Sequence, residues 1–154
     1  MTEMTDWGIS VRNQRYRGDV MIERTLAIIK PDAVKKRIVG KILDRIEEEG
    51  FEIVEMKMVR LTKDGARGFY AVHKGKPFFE GLTDFMSSGG IVVMALERED
   101  AIAHWRQVMG ETDPARAQVG TLRRTYGFSI ERNAVHGSDA PQTAETEIGY
   151  FFKN

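Results

Sequence analysis

The sequence predicts an α+β fold organised around an antiparallel sheet. Its 154 residues are 42% apolar and 30% charged, a composition that suits one soluble domain with a single sizeable core. Short apolar runs typical of buried strands alternate along the chain with segments whose apolar residues recur at helical spacing. The chain contains no internal repeat and no low-complexity tract.

The first predicted elements follow from apolar patterning in the first half of the chain. Residues 25–29 form an apolar run that Pro31 ends, which predicts a buried strand with Lys30 at its carboxyl end. Four apolar residues at i, i+3, i+4 and i+7 predict an amphipathic helix: Val39, Ile42, Leu43 and Ile46. Residues 51–59 alternate imperfectly between apolar and charged side chains, as a half-buried strand does.

The middle of the chain predicts three helices and one strand. Thr62 is expected to cap a helix that runs to about Val72, and a shorter helix is expected over residues 78–86. Residues 91–96 are uniformly apolar, which indicates a strand buried on both faces. Asp100 is expected to cap the helix that follows.

The last third is less regular. Asp113-Pro114 predicts a short helical turn, and residues 118–138 are weakly periodic with room for a fourth strand. Asp139 is expected to cap a final helix with Pro141 in its first turn. The whole order fits a ferredoxin-like core, a four-stranded antiparallel sheet with helices on it, enlarged by helical insertions.

The N-terminal residues 1–20 differ from the rest of the chain. They are polar and show neither the period of a strand nor that of a helix, so we expect a flexible leader. Met21 then opens a segment that resembles a natural beginning. The expected organisation is a leader over residues 1–20 and one domain over residues 21–154.

Charge and composition exclude several classes of protein. Lys and Arg total 23 and Asp and Glu total 23, so the net charge of +0 gives no global attraction to nucleic acid or to anionic membranes. The absence of cysteine excludes a disulfide scaffold, a thiolate zinc site and a cysteine nucleophile. No apolar run approaches the length of a membrane span. We therefore expect a cytoplasmic protein without membrane or nucleic-acid partners.

The three histidines are the first candidates for chemistry. His73 lies in a polar turn and His104 on a charged helix, so both are interpreted as solvated surface residues. His136 lies in a loop just before a predicted helix, and Gly137 frees the backbone beside its ring. A lone loop histidine is more often structural than catalytic, so spacing alone leaves both interpretations of His136 open.

Several cations and one hydroxyl lie where an anion could be bound: Lys30, Arg106, Thr112 and Arg123. An Arg side chain binds phosphate in a bidentate way, and unpaired N–H groups at a helix start add further donors. The glycine-rich motifs of the usual phosphate-binding loops are absent from the sequence. Residue spacing alone therefore predicts no more than an anion site with a histidine.

Five separated motifs, in this order, resemble those of nucleoside diphosphate kinases: ERTLAIIKPD (23–32), GFY (68–70), KPFF (76–79), SG (88–89) and NAVHGSD (133–139). The resemblance is continuous from about Met21 to the end of the chain. Several motifs in the right order are far more specific than any one of them, so the sequence is identified as a member of this family, of the short bacterial type.

The resemblance implies transfer of the terminal phosphate of a nucleoside triphosphate, chiefly ATP, to a nucleoside diphosphate. It implies a ping-pong mechanism through a phosphohistidine on His136. The serine and glutamate that orient the family's histidine match Ser138 and Glu147, and Tyr70 resembles the family tyrosine near the nucleophile. A neutral imidazole is nucleophilic near pH 7 without a separate base, which suits this role.

The resemblance also implies the nucleotide-binding residues. Arg106, Thr112 and Arg123 match the phosphate contacts, and Lys30 and Asn133 match the contacts to the ribose and the transferring group. Phe78 and Leu82 match the residues that sandwich the base, although helix core packing is the alternative that the residues alone favour. Mg²⁺ is expected as the Mg-nucleotide complex, with no metal ligands from the protein.

The sequence departs from the family pattern at Gly90, Thr125 and Ala140, which stand where the family usually has Pro, an acidic residue and Ser. We expect altered stability or rate from these changes, because none affects the expected nucleophile. The short C-terminal end resembles members that assemble as tetramers or hexamers, so a homo-oligomer is expected.

Two other classes of function remain to be weighed. An RNA-binding module shares the strand and helix order, but the net charge of +0 and the lack of an aromatic, basic strand motif argue against it. An oligomeric interaction protein that kept the fold and lost the chemistry would bind nucleotide, at most, without transferring phosphate.

Overall fold

The computed structural model describes residues 13–152, which form a five-stranded antiparallel sheet and seven α-helices. The strands are β1 (Gln14–Arg17), β2 (Val20–Ile29), β3 (Glu52–Val59), β4 (Ile91–Glu99) and β5 (Val135–Gly137). The helices are α1 (Pro31–Lys35), α2 (Val39–Glu48), α3 (Lys63–Phe69), α4 (Phe79–Met86), α5 (Ala101–Met109), α6 (Leu122–Tyr126) and α7 (Pro141–Phe151). A 3₁₀ turn, Ala71–His73, follows α3.

The sheet has the ferredoxin-like order that the sequence predicts. β2 pairs with β4, and β4 pairs with β3. The opposite edge of β2 is shared, because β1 pairs with residues 20–23 and β5 pairs with residues 27–29. All of these pairings are antiparallel, and the fourth strand expected within residues 118–138 is confirmed as β5.

Helices cover both faces of the sheet, which explains the uniformly apolar central strands. On β2, Ala27 and Ile29 face a core cluster that includes Trp105 of α5, while Leu26 and Ile28 face a cluster on the other side of the sheet. The first cluster also receives the apolar stripe of α2, and the second receives α3, α4 and α7. Strands buried on both faces carry continuous apolar runs rather than alternation.

Helix capping agrees with the sequence at one position and differs at two. Thr62 caps α3, since its Oγ1 accepts the N–H of Gly65 at 2.9 Å. Asp100 precedes α5 with φ 53°, and it is Glu23 Oε1 on β2 that accepts the N–H of Ile102 at 3.0 Å. α7 begins after Ala140, which places Asp139 one residue outside the capping position. The caps expected from Asp100 and Asp139 are therefore wrong.

The irregular regions contain more structure than patterning predicts. Pro31 ends β2 as expected and also opens the short helix α1, because the fixed φ of proline suits the first helical position. The helix expected to reach Val72 ends at Phe69 and continues as the 3₁₀ turn. The short helical turn expected at Asp113-Pro114 is confirmed, because the carbonyl of Asp113 accepts the N–H groups of Arg116 and Ala117 at 3.0 and 3.1 Å.

The N-terminal segment is only partly described. Residues 1–12 of the expected leader lie outside the described residues. Residues 14–17 differ from the expectation, because they form β1 on the edge of β2. The side chain of Arg15 pairs with Glu97, a carboxylate whose side chain is only 6% exposed and which also meets Arg24 at 3.3 Å. This neutralisation of a buried charge explains why a polar segment pairs here.

Helices within residues 13–152 are all too short or too polar to span a bilayer.

Gly137→Ala is expected to lower the free energy of unfolding by about 1–3 kcal/mol, because the added methyl group would overlap the ring of Trp105 and lie 2.7 Å from Cε of Met109. Gly40→Ala is the matched control, since a Cβ at that position of α2 meets no atom within 4 Å. The control should gain about 0.5–1 kcal/mol from helix propensity. Urea unfolding measures both, and equal midpoints for the two variants would contradict the prediction.

Arg15→Gln is expected to lower the free energy of unfolding by about 1–2 kcal/mol, because it leaves the buried Glu97 with one cationic partner fewer. Arg17→Gln on the same strand is the control, since Arg17 is exposed and forms no ion pair with any residue in 13–152. Thermal melts should place the control within about 0.5 kcal/mol of the wild type. A control that melts as early as Arg15→Gln would show that the effect is not due to the ion pair.

Candidate active site

The structure brings together His136, Ser138 and Glu147, three of the five residues expected at the catalytic centre, the other two being Lys30 and Tyr70. His136 on β5 lies with Nε2 3.1 Å from Oε2 of Glu147 on α7. Ser138 donates its hydroxyl to the other carboxylate oxygen at 2.7 Å and accepts the N–H of Leu26 at 3.1 Å. The serine thus ties the glutamate to β2, and the glutamate fixes the imidazole ring.

Side chains from two other elements hold the backbone of β5. Trp105 Nε1 donates to the carbonyl of His136 at 3.1 Å, and Arg123 Nη2 donates to the carbonyl of Val135 at 3.0 Å. A strand of three residues makes few ladder hydrogen bonds, so these two donors add to the interactions that hold its backbone. Side chains of α5 and α6 therefore hold the main chain that carries the imidazole.

A cavity of about 330 Å³ opens beside His136 and is lined by aromatic side chains and Glu147. The Phe69 ring lies edge-on at 5.5 Å from the imidazole, and the Tyr70 ring lies edge-on at 6.3 Å. Tyr70 is almost fully buried, and this burial, with a smaller contribution from Glu147, raises the pKa of its hydroxyl. Its hydroxyl is therefore neutral at physiological pH and available as a hydrogen-bond donor.

Lys30 lies at the end of β2, as the sequence predicts, and is buried. Its Nζ donates to the carbonyl of Glu131 at 2.7 Å and to Oδ1 of Asn133 at 2.9 Å. Burial lowers the pKa of Lys30 to about 8; Asp32 opposes this change, the Arg123 charge adds to it, and Glu131 opposes it. The charge on this lysine is thus sensitive to any anion that approaches.

Asn133 connects Lys30 to the expected phosphate-binding residues, since its Nδ2 donates to the carbonyl of Thr112 at 3.0 Å. Thr112, Arg106 and Arg123 line a second and larger cavity of about 960 Å³. Burial, together with the nearby charge of Arg106, lowers the pKa of Arg123 to about 10. The Nε of Arg123 is buried without a hydrogen-bond partner among the described residues. Two guanidinium groups that face one cavity, one of them incompletely paired, favour an anionic ligand.

The two residues expected at the base, Phe78 and Leu82, line neither of these two cavities. Phe78 is 49% exposed, and its ring lies 5.3 Å from that of His73. Leu82 on α4 packs against the core cluster that contains Phe79 and Phe85. The contact with His73 connects Phe78 to the cavity beside His136. Leu82, in contrast, is mainly a core-packing residue.

Sequence analysis missed His73 as a residue of the site. It follows α3 in the 3₁₀ turn, lines the cavity beside His136 and stacks on Tyr70 with ring centroids 6.4 Å apart. Its place three residues after the GFY motif was the available signal. His104 also differs from the solvated residue expected, because its Nε2 lies 2.8 Å from Oε1 of Glu49.

The three departures from the family pattern lie outside the contacts of His136. A Cβ at Gly90 would meet no atom within 4 Å, and Thr125 donates its hydroxyl to the carbonyl of Thr121 at 2.8 Å. Ala140 is the N-cap residue of α7. No group of three or more His, Asp or Glu side chains within residues 13–152 is arranged to hold a metal ion.

Comparison with known proteins adds to this geometry. A family model described as nucleoside diphosphate kinase matches residues 23–154. A protein of Geotalea uraniireducens named nucleoside diphosphate kinase is 60% identical over 131 residues, which cover 85% of this chain and 96% of the relative. The protein of the same name from Geobacter sulfurreducens is 59% identical, with the same coverage.

Solved structures agree with the sequence relatives. The nucleoside diphosphate kinase of Aquifex aeolicus superposes with a TM-score of 0.84 at 45% identity, over 86% of this chain and 96% of that one. A halophilic nucleoside diphosphate kinase from Halobacterium salinarum, solved in complex with CDP, superposes with a TM-score of 0.83 at 40% identity, over 86% of this chain and 88% of that one. The fold, the placement of the histidine and these similarities together show that the chain belongs to the nucleoside diphosphate kinase family.

Proposed function

We propose that this protein transfers the terminal phosphate of a nucleoside triphosphate, chiefly ATP, to a nucleoside diphosphate by a ping-pong mechanism through a phosphohistidine on His136. The observation that carries the proposal is the hydrogen bond between His136 Nε2 and Glu147, with Nδ1 forming no hydrogen bond to any residue in 13–152. An imidazole that donates Nε2–H to a carboxylate keeps its lone pair on Nδ1. That nitrogen is then the nucleophile.

In the first half-reaction, Nδ1 of His136 attacks the terminal phosphorus of the donor. The new N–P bond forms as the bond from phosphorus to the bridging oxygen breaks, and the nucleoside diphosphate leaves with that electron pair. The imidazole gains positive charge, which the Glu147 carboxylate at 3.1 Å stabilises. In the second half-reaction, a terminal phosphate oxygen of the acceptor attacks the same phosphorus and restores neutral His136.

Positioning and electrostatic stabilisation carry most of the catalysis in such a transfer. Arg106, Arg123 and Thr112 line one cavity and are proposed to bind the phosphates. Lys30 and Asn133, hydrogen-bonded to each other at 2.9 Å, are proposed to bind the ribose and the transferring group. His136 lines one cavity and the two guanidinium groups line the other, and the transferring phosphate is proposed to lie between the nucleophile and these cations.

The remaining ligand contacts follow from the same assignment. Mg²⁺ is proposed to enter with the substrate, where it would neutralise part of the charge of the phosphates. Tyr70 is proposed to donate its neutral hydroxyl near the transferring group. Phe78, half exposed and available for stacking, is proposed to pack with Leu82 against the base, and stacking accepts any base because every base has a π face.

We also propose a cytoplasmic homo-oligomer, a tetramer or hexamer. Strand β3 lies at the edge of the sheet and exposes 51% of Met56 and 66% of Met58. Apolar side chains on an edge strand are a common contact surface between subunits, and assembly would cover them. The even balance of charge gives no reason to expect nucleic acid or membrane as a partner.

The phosphohistidine is tested by intact-mass spectrometry at neutral pH after mixing with Mg-ATP, followed by a chase with GDP. The wild type should gain the mass of one phosphoryl group and lose it as GTP forms, because the acceptor attacks the same phosphorus. His136→Asn should gain none. His104→Asn is the matched control, since His104 Nε2 also lies against a glutamate and the variant should still be phosphorylated.

A wild type that stays unmodified and forms no GTP would overturn the proposal. It would favour the alternative of an oligomeric interaction protein that kept the fold and lost the chemistry. Phosphorylation of His136→Asn would show that another residue is the nucleophile.

The pH dependence of kcat/KM should show a fall above about pH 8, because the pKa of Lys30 is lowered to about 8 and only its protonated form stabilises a phosphate. A bound nucleotide adds negative charge beside the ammonium group, so the corresponding fall in kcat should lie at higher pH. Lys36→Gln is the control, since Lys36 is an exposed lysine that donates to the carbonyl of Tyr126. The pH profile of Lys36→Gln should match that of the wild type. Lys30→Gln should react more slowly, and its profile should lack the fall at high pH. A wild-type limb that persists in Lys30→Gln would assign the titration to another group.

A further inference from the structure

A strained turn lies directly before the strand that carries His136. Ala134 has φ 77°, a left-handed conformation that costs a non-glycine residue on the order of 1–2 kcal/mol. The N–H of Val135 donates to the carbonyl of Asn133 at 3.0 Å, which closes a three-residue γ-turn around Ala134. Such a turn persists only where its surroundings hold it.

Two groups from the segment after β2 hold this turn. The N–H of Lys30 donates to the carbonyl of Ala134 at 2.9 Å. The carboxylate of Asp32, through Oδ2, accepts the N–H of Ala134 at 3.0 Å. Ala134 itself is fully buried, so water could not replace the carboxylate without opening the core. The strained residue is therefore paired at both of its backbone groups.

The turn connects the two ends of the proposed transfer site. Asn133, on one side of Ala134, accepts a hydrogen bond from Nζ of Lys30, and His136 follows two residues after Ala134. A change in the turn would therefore displace the lysine's partner and the imidazole together.

We propose that Asp32 is a positioning residue that holds the left-handed turn at Ala134 and thereby aligns Lys30 and His136 for phosphoryl transfer. The proposal rests on the proposed function of His136, and it assigns to Asp32 no contact with the substrate. Asp32 acts through the backbone of residue 134, in contrast to the residues that line the two cavities.

The charge of Asp32 supports the same role. Its second oxygen, Oδ1, is buried without a hydrogen-bond partner among residues 13–152, so the N–H of Ala134 on Oδ2 is the one donor that these residues give the carboxylate. Asp32 raises the pKa of Lys30 against the larger effect of burial, while Arg123 and Glu131 are the other charged groups that act on Lys30. Asp32 therefore favours the protonated form of Lys30 as well as holding its partner in place.

Two substitutions separate these contributions. Asp32→Ala removes both the acceptor and the charge, whereas Asp32→Asn keeps an oxygen that can accept the Ala134 N–H and removes the charge alone. Glu23→Ala is the matched control, because Glu23 is likewise a carboxylate that accepts one backbone N–H, from Ile102, and it lies outside the proposed site. Rates of phosphoenzyme formation from Mg-ATP are measured for all variants at a temperature where thermal melts show each to be folded.

Asp32→Ala is expected to slow phosphoenzyme formation by about tenfold or more, with the loss in kcat rather than in KM, because a buried donor is left unpaired and the turn relaxes. Asp32→Asn should retain most of the rate at neutral pH. The fall in its rate at high pH, which is attributed to Lys30, should begin at a lower pH than in the wild type. Glu23→Ala should stay within about twofold of the wild-type rate when folded.

A wild-type rate in Asp32→Ala would overturn the proposal. An equal loss in Glu23→Ala would also overturn it, because the effect would then be one of general stability. A wild type that forms no phosphoenzyme would instead overturn the proposed function of His136, so the two failures are distinguishable.

Discussion

The position of the imidazole of His136 depends on the pairing of the three-residue strand β5 with β2. This pairing sets His136 opposite Ile28 and Val135 opposite Ile29. A strand so short cannot hold itself, and the hydrogen bonds from Trp105 and Arg123 to its carbonyl groups complete its pairing. Because β2 is buried on both faces, it gives β5 a fixed template. The backbone of His136 is thereby held against the core, although β5 lies at the edge of the sheet.

Local patterning predicts the elements whose own residues determine them, and it fails where distant residues do. The apolar residues of three elements show from sequence alone which faces are buried, and the structure confirms each of them: the strands at 25–29 and 91–96 and the helix that starts at Val39. β1 and the cap of α5 depend on partners far along the chain, such as Glu97 for Arg15 and Glu23 for Ile102. No local pattern contains that information, which explains why the leader was expected to be unstructured and Asp100 was expected to cap.

The site shows the same division. Residue spacing predicts only an anion site with a histidine, whereas the motif resemblance supplies Ser138 and Glu147, which the structure places beside His136. His73 was missed because its role depends on the chain reversal after α3, which brings it onto Tyr70. A net charge of +0 also hides a local concentration of cations. Lys30 is buried and Arg123 is partly buried, and burial lowers the pKa of each. An anionic ligand would restore the favourable environment that burial removes, so binding and folding stabilise each other here.

The antiparallel register between β5 and β2 restricts how the chain can vary in length. Side chains on a strand alternate between faces, so a shift of one residue would move His136 into the cluster that holds Val135 and bring a neighbour to the cavity. An insertion or deletion within residues 133–137 would change this register, whereas one in the loop of residues 127–132 leaves the pairing of β5 with β2 unchanged. Length variation among related chains should therefore concentrate outside residues 133–137.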